Sequence, residues 1–87
     1  MKLKLYAVLD TCSGVYDGPV GNHNDESAVR AFGDILAREG SPINLHPEHF
    51  ILFRVGEWDD ATGTVKEIVP AALCKAIDLV HKDENDA

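Results

Sequence analysis

The sequence predicts an α+β sandwich: one antiparallel sheet of about four strands, in the order β-β-α-β-β-α, with a single main helix packed on one face. Three observations predict it. KLKLYAVL (2–9) alternates apolar and polar with period two, the pattern of a half-buried strand. ESAVRAFGDILARE (26–39) carries Ala28, Phe32, Ile35 and Leu36 as one apolar stripe at helical spacing, with Val29 at its margin. FILFRVGEW (50–58) is almost continuously apolar, and DDATG then TVKEIV follow it, which is strand, turn and returning strand.

Taken in order, Leu3, Leu5, Ala7 and Leu9 point to one side of the first strand and Lys2, Lys4, Tyr6 and Val8 to the other. DTCSG (10–14) is a turn by composition, and VYDGPVGN (15–22) a short second strand that Gly18-Pro19 consigns to a sheet edge. Asn24 or Asp25 caps the helix, and the acids Asp25 and Glu26 suit its positive end. Gly40 ends it and Ser41-Pro42 stops it. INLHPEH (43–49) is a connection with one helical turn starting at Pro47. The strand over 50–58 turns back through DDATG, with Gly63 at a positive φ, into 64–69; Pro70 then opens a short helix, PAALCKAIDLV, from which Leu73, Ile77 and Val80, or Ala76, pack inward. If Ile51, Phe53 and Val55 face the main helix, Phe50, Leu52 and Arg54 share the opposite face with Lys2, Lys4, Tyr6 and Val8. That opposite face is too apolar to be fully wet and too basic for a core.

The 87 residues suffice for one domain, assigned to residues 1–81, with the polar KDENDA (82–87) as a flexible acidic tail. Such a domain buries roughly 60 to 70% of the surface its unfolded chain exposes. The core is therefore thin, and a partner subunit on one face would help. The net charge is −7, of which the tail supplies −2, and the few bases are scattered. That balance counts against strong non-specific nucleic-acid binding, which depends on lysines and arginines releasing counterions, but leaves room for a local basic patch. No apolar run approaches the roughly 20 residues that span a bilayer, and the N-terminus lacks the pattern of a secretory signal. Cys12 and Cys74 fit no metal or redox spacing, so a reduced, cytoplasmic setting is the simplest.

The chemistry-bearing residues are sparse. Glu57, Asp59 and Asp60 resemble a cation site, but the longer ligand series, fixed glycine and closing glutamate of a calcium loop are missing; they read first as turn residues. His46 and His49 are two ligands where zinc takes three or four. Neither cysteine has a base or oxyanion donor beside it in sequence. Gly14, Gly18 and Gly21 do not make a phosphate loop. No enzyme, metal or cofactor is expected. Trp58 ends a strand, either as a packing residue or as an interface anchor, and with Leu52, Asp59 and Asp60 it forms the candidate partner surface. Lys2, Lys4, Tyr6, Phe50 and Arg54, with Lys66, are the candidate nucleic-acid residues, because aromatics interleaved with bases on a sheet are what single strands stack on. The competing use of that face is a dimer interface whose bases pair with acids across it, and the residues alone favour the dimer.

One resemblance narrows the function. Ala28-Val29-Arg30-Ala31-Phe32 with Asp34, His46-Pro47-Glu48 with Phe50, Gly56-Glu57, Asp59-Asp60 and Thr62-Gly63 resemble the small non-structural protein of gokushovirus-type microviruses, tailless phages with circular single-stranded DNA genomes. The opening KLYAVLDTCSGVYDGP (4–19) and AIDL (76–79) are similar to that family as well. The likeness covers all but the acidic tail. His49 departs from it, standing where an acid is expected, as does Trp58 where phenylalanine is expected. The resemblance implies a non-enzymatic accessory, in the cytoplasm of the bacterial host and outside the virion. It would help switch replication towards single-stranded genome synthesis and packaging, with weak single-stranded DNA binding, and it carries no catalytic residues. The alternative is an acidic homo-oligomeric module, a dimer by preference, that recruits a phage or host replication protein without touching DNA or membrane.

Overall fold

The computed structural model describes residues 2–80. It contains β1 (Lys2–Asp10), β2 (Val15–Asn22), α1 (Asp25–Ala37), the single turn α2 (Pro42–Leu45), a 3-10 turn (Pro47–His49), β3 (Phe50–Asp59) and β4 (Thr64–Lys75), and residues 76–80 are helical. The strands form one antiparallel sheet in the order β2-β1-β3-β4, so β1 and β3 are central and each hairpin adds one edge. The α+β architecture and element order are those expected. The tail assigned to residues 82–87 lies outside the described residues.

The two hairpins use the same turn. In Asp10–Gly14 the glycine N–H donates to the Asp10 carbonyl at 2.8 Å, while the Asp10 carboxylate accepts from the N–H of Cys12 at 2.9 Å. Asp59–Gly63 repeats this, with Gly63 N–H to the Asp59 carbonyl at 2.8 Å and Ala61 N–H to the Asp59 carboxylate at 3.0 Å. The closing glycines have φ of 76° and 70°, a region open to glycine and costly for most residues. Asp59 is thus committed to its turn.

α1 starts where its cap says. The Asn24 side chain accepts from the Ser27 N–H at 2.8 Å, and Asp25 and Glu26 occupy the first turn. Its buried face is Ala28, Phe32 and Leu36, one residue per four. At the far end the orphan carbonyls find side-chain donors: the Ser41 hydroxyl donates to Ile35 O at 2.8 Å and the Asn44 amide to Leu36 O at 2.9 Å. That clamp holds α2 against α1 and brings Ile43 into the core.

The core joins Tyr6 and Leu52 of the sheet to Ala28, Phe32 and Leu36 of α1, Ile43 and Ala76, with Val8, Phe50 and Cys74 packed around them. This corrects the expected facing. The helix covers Tyr6, Val8, Phe50 and Leu52, and the other face, with Ile51 and Phe53, is open. Both sides of β3 are apolar, so the pleat alone does not choose between them. The choice is made by Asp25 at the start of α1, which binds both Tyr6 and Arg54. Val55 stands at a register shift, between Arg54 paired with Tyr6 and Gly56 paired with Leu5.

β4 is also longer than expected. Instead of opening a helix, Pro70 sits in an irregularity between the pairs Gly56–Glu67 and Arg54–Ala71, after which the strand resumes through Ala72 and Cys74 to Lys75. β4 is an edge, so a residue without an N–H is tolerated there.

Gly56, on the central strand β3, has no room for a side chain between β4 and β1. A Cβ at this position would stand 3.0 Å from the Lys66 carbonyl oxygen and 3.6 Å from Leu5 Cδ1. Gly56→Val is therefore expected to destabilise the domain by about 1–3 kcal/mol through overpacking, lowering Tm by roughly 4–8 °C for each kcal/mol. Thermal unfolding followed by circular dichroism checks this, and an unchanged Tm would show that β3 and β4 part freely.

Candidate functional site

The structure divides the residues singled out in the sequence into three groups. Tyr6 and Leu52 are in the core, each 4% exposed, and Phe50 packs beside them. None of the three offers its ring or chain to an incoming base, and Leu52 is no partner surface, because α1 lies on that face. Arg54 is held rather than free. Its Nη1 donates to Asp25 Oδ2 at 2.6 Å, while the Tyr6 hydroxyl donates to Asp25 Oδ1 at 2.7 Å. Burial, and then the bond to Asp25, push the Tyr6 hydroxyl well above the ordinary tyrosine range. The Tyr6 bond first, and then Arg54, hold the Asp25 carboxyl below the usual carboxylate range against the opposing effect of desolvation. This trio ties the start of α1 to β1 and β3. Asp25 is the residue that sequence reasoning valued only as a helix-end acid; its second role depends on a contact with no local signature.

The remaining bases form the second group, at one end of the sheet. Lys4 and Lys66 flank Glu57 on neighbouring strands, and Lys2 lies opposite Asp59. Each lysine is next to a carboxylate, and a shallow recess there is lined by Lys2, Glu57, Trp58, Asp59, Thr64 and Lys66. Asp60 is exposed at the adjoining hairpin tip.

The third group is the sheet face that no described residue covers. Register pairs place Leu3 opposite Trp58, Ala7 opposite Phe53 and Leu9 opposite Ile51, with Val65 beyond Trp58 and Tyr16 beyond Leu9. Tyr16 and Phe53 meet edge-on at 5.4 Å between ring centroids, and Leu3 folds over Gly21. Val65 is 63% exposed and Tyr16 45%. Of the paired positions on this face, only Glu67 and Lys75, both on β4, carry charge. Trp58 is therefore a member of an apolar sheet face rather than of the acidic turn.

Elsewhere, an apolar cleft of about 250 Å³ opens where α1 falls short of β2, lined by Val8, Val20, Ala28, Ala31 and Ile35 among others. His46 Nδ1 and His49 Nε2 approach Glu48 at 3.9 and 3.5 Å, with His46 and Glu48 exposed and His49 half-buried. Among the described residues no group of three or more histidines, cysteines or acids is placed to hold a metal ion. Cys12 is exposed; burial, and then Asp78, push the Cys74 thiol up, away from the thiolate a nucleophile needs. No helix among the described residues is long and apolar enough to cross a membrane.

A family model described as Phage ORF5 protein matches residues 3–79. The chain belongs to that family. No curated protein and no solved structure matches it. The match runs from Leu3 in β1 through the other three strands, α1 and α2 of the phage protein, and so takes in both the trio at Asp25 and the open apolar face.

Proposed function

We propose that this phage protein is the non-structural accessory of a gokushovirus-type microvirus. In this reading it works in the host cytoplasm during single-stranded genome replication and packaging, without catalysis, and acts by protein–protein contact through its open sheet face. One observation carries the reading. The face that could have offered aromatics and bases to a DNA strand lies under α1, with Arg54 bound to Asp25, whereas the face left open is apolar and has a single base at its edge. Apolar sheet faces of this extent are characteristic of contact surfaces.

Weak single-stranded DNA binding is the second reading. Its support is the trio Lys2, Lys4 and Lys66, gathered at one end of the sheet beside Trp58.

Complementation of a phage lacking this gene separates the two. Val65→Glu changes an exposed residue on the open face and is expected to abolish complementation, while the triple change of Lys2, Lys4 and Lys66 to alanine leaves it intact. The reverse result would transfer the function to the lysines. In that case fluorescence anisotropy of a labelled oligonucleotide should show binding that weakens as salt rises.

A further inference from the structure

We infer that the open sheet face is occupied by a second copy of this chain, the two sheets packing face to face about a two-fold axis that lies between them and runs across the strands. The inference rests on the reading of that face as the contact surface, and it names the partner.

Three features of the face carry it. The first is charge. On a chain of net charge −7, the paired positions of this face hold one acid and one base, so two copies meet there without like-charge repulsion. The second is where those two charges lie. Glu67 is level with Gly56 and Lys75 with Ile51, both on the same edge strand. Five residues of strand separate those levels, about 17 Å at a rise of roughly 3.4 Å per residue. A two-fold axis across the strands, level with Phe53 and Arg54, lays β4 over its own copy in the opposite direction. Glu67 of each chain then faces Lys75 of the other, and the symmetry makes the contact twice. An axis along the strands would lay β4 over β2 and leave both charges without an opposite. The third feature is size. Four strands about 4.8 Å apart and some 30 Å long present on the order of 600 Å² in projection. With side-chain relief that approaches the roughly 800 Å² per partner of a standard interface. Phe53, close to the axis, packs against its own copy, and Trp58 and Val65, two residues beyond Gly56, meet the far end of the other chain's sheet at the rim of the contact. The dimer is a four-layer sandwich, helix-sheet-sheet-helix, with its inner sheets about 10 Å apart and its acidic surfaces outermost.

Sedimentation velocity of the full chain over a range of concentrations tests this, with the emission of Trp58, the chain's one tryptophan, as a second readout. The expected result is a monomer–dimer equilibrium in which emission shifts to the blue as dimer forms. Glu67→Lys and Lys75→Glu should each weaken the dimer by roughly three- to tenfold, as exposed ion pairs do, and the two together should restore it. Val65→Glu should give a monomer with the circular dichroism of the parent. A chain that stays monomeric at high micromolar concentration overturns the proposal. So does a dimer that Val65→Glu leaves intact, or one that the paired charge reversal fails to restore. A strict monomer whose Val65→Glu variant loses complementation would sink the second copy as occupant while keeping the face as the contact surface. A dimer whose Val65→Glu variant is monomeric yet complements would sink the functional reading instead.

Discussion

Phe32→Ala is expected to take most of the stability out of the domain. Phe32 is 2% exposed and belongs to the core cluster that joins the sheet to α1 and Ile43. Deleting a buried phenylalanine ring costs about 3–5 kcal/mol, part lost transfer energy and part cavity. At roughly 0.05–0.15 kcal/mol per residue, a domain of this size has some 4–13 kcal/mol in total. The variant therefore lies at or near the edge of folding. Urea unfolding should show a large fall in the midpoint with little change in slope, since the surface exposed on unfolding is nearly the same. Val69→Ala is the control: Val69 is 87% exposed and its truncation should be silent. Equal midpoints for the two variants would mean that the layer between α1 and the sheet is not where the stability resides.

The second large effect is at Asp25. Asp25→Ala leaves the buried Tyr6 hydroxyl without its acceptor, which costs about 1–3 kcal/mol. The ion pair with Arg54 adds less than about 1 kcal/mol, because both side chains are around a third exposed and water screens them. The same site makes stability depend on pH, with a definite sign. The folded Asp25 carboxyl titrates below its unfolded value of about 3.9. Its contribution is therefore fully present above that value and is lost as pH falls through the lower, folded one. Tyr6 acts at the other end. Its folded hydroxyl titrates above the unfolded value of about 10, so its contribution is full below that value and is lost as pH rises towards the folded one. Urea midpoints measured across pH should fall at both extremes in the parent. Asp25→Asn should flatten the acid limb and Tyr6→Phe the alkaline one; an acid limb unchanged in Asp25→Asn would place the acid sensitivity at another carboxylate.

The elements were legible wherever a local rule fixes them. Asn24 as the cap, Gly63 in its turn, Pro47 starting a helical turn and β2 as an edge all follow from backbone preferences that act within a few residues. The end of β4 was not legible. Pro70 is a helix-start signal in isolation, and what overrides it is the pairing of Ala71 and Ala72 with Arg54 and Phe53, partners far away in sequence. The facing of the sheet failed for the same kind of reason. Tyr6 and Arg54 look like surface residues until Asp25 is brought to them from the helix. With both faces of β3 apolar, hydropathy carries no vote on which one α1 covers. The candidate site inherited that error. Lys2, Lys4 and Lys66 do gather at one end of the sheet, but Tyr6, Phe50 and Arg54 belong to the inside, and the open face is formed by the residues first assigned to the core.

The matched turns at Asp10–Gly14 and Asp59–Gly63 also shape how the chain acquires its structure. Each closes a loop of a few residues, so the hairpins β1–β2 and β3–β4 can form in about 1–10 μs without help from the rest of the molecule. The seam that joins them, where Tyr6 pairs with Arg54, must instead close over α1, α2 and the 3-10 turn, and its entropy is lost before its contacts are gained. Folding is thus the meeting of two ready-made halves, and its rate belongs to the seam. Val8 and Leu52, paired across it, are where φ-values should be highest, with the turn glycines affecting chiefly how the halves are made ready.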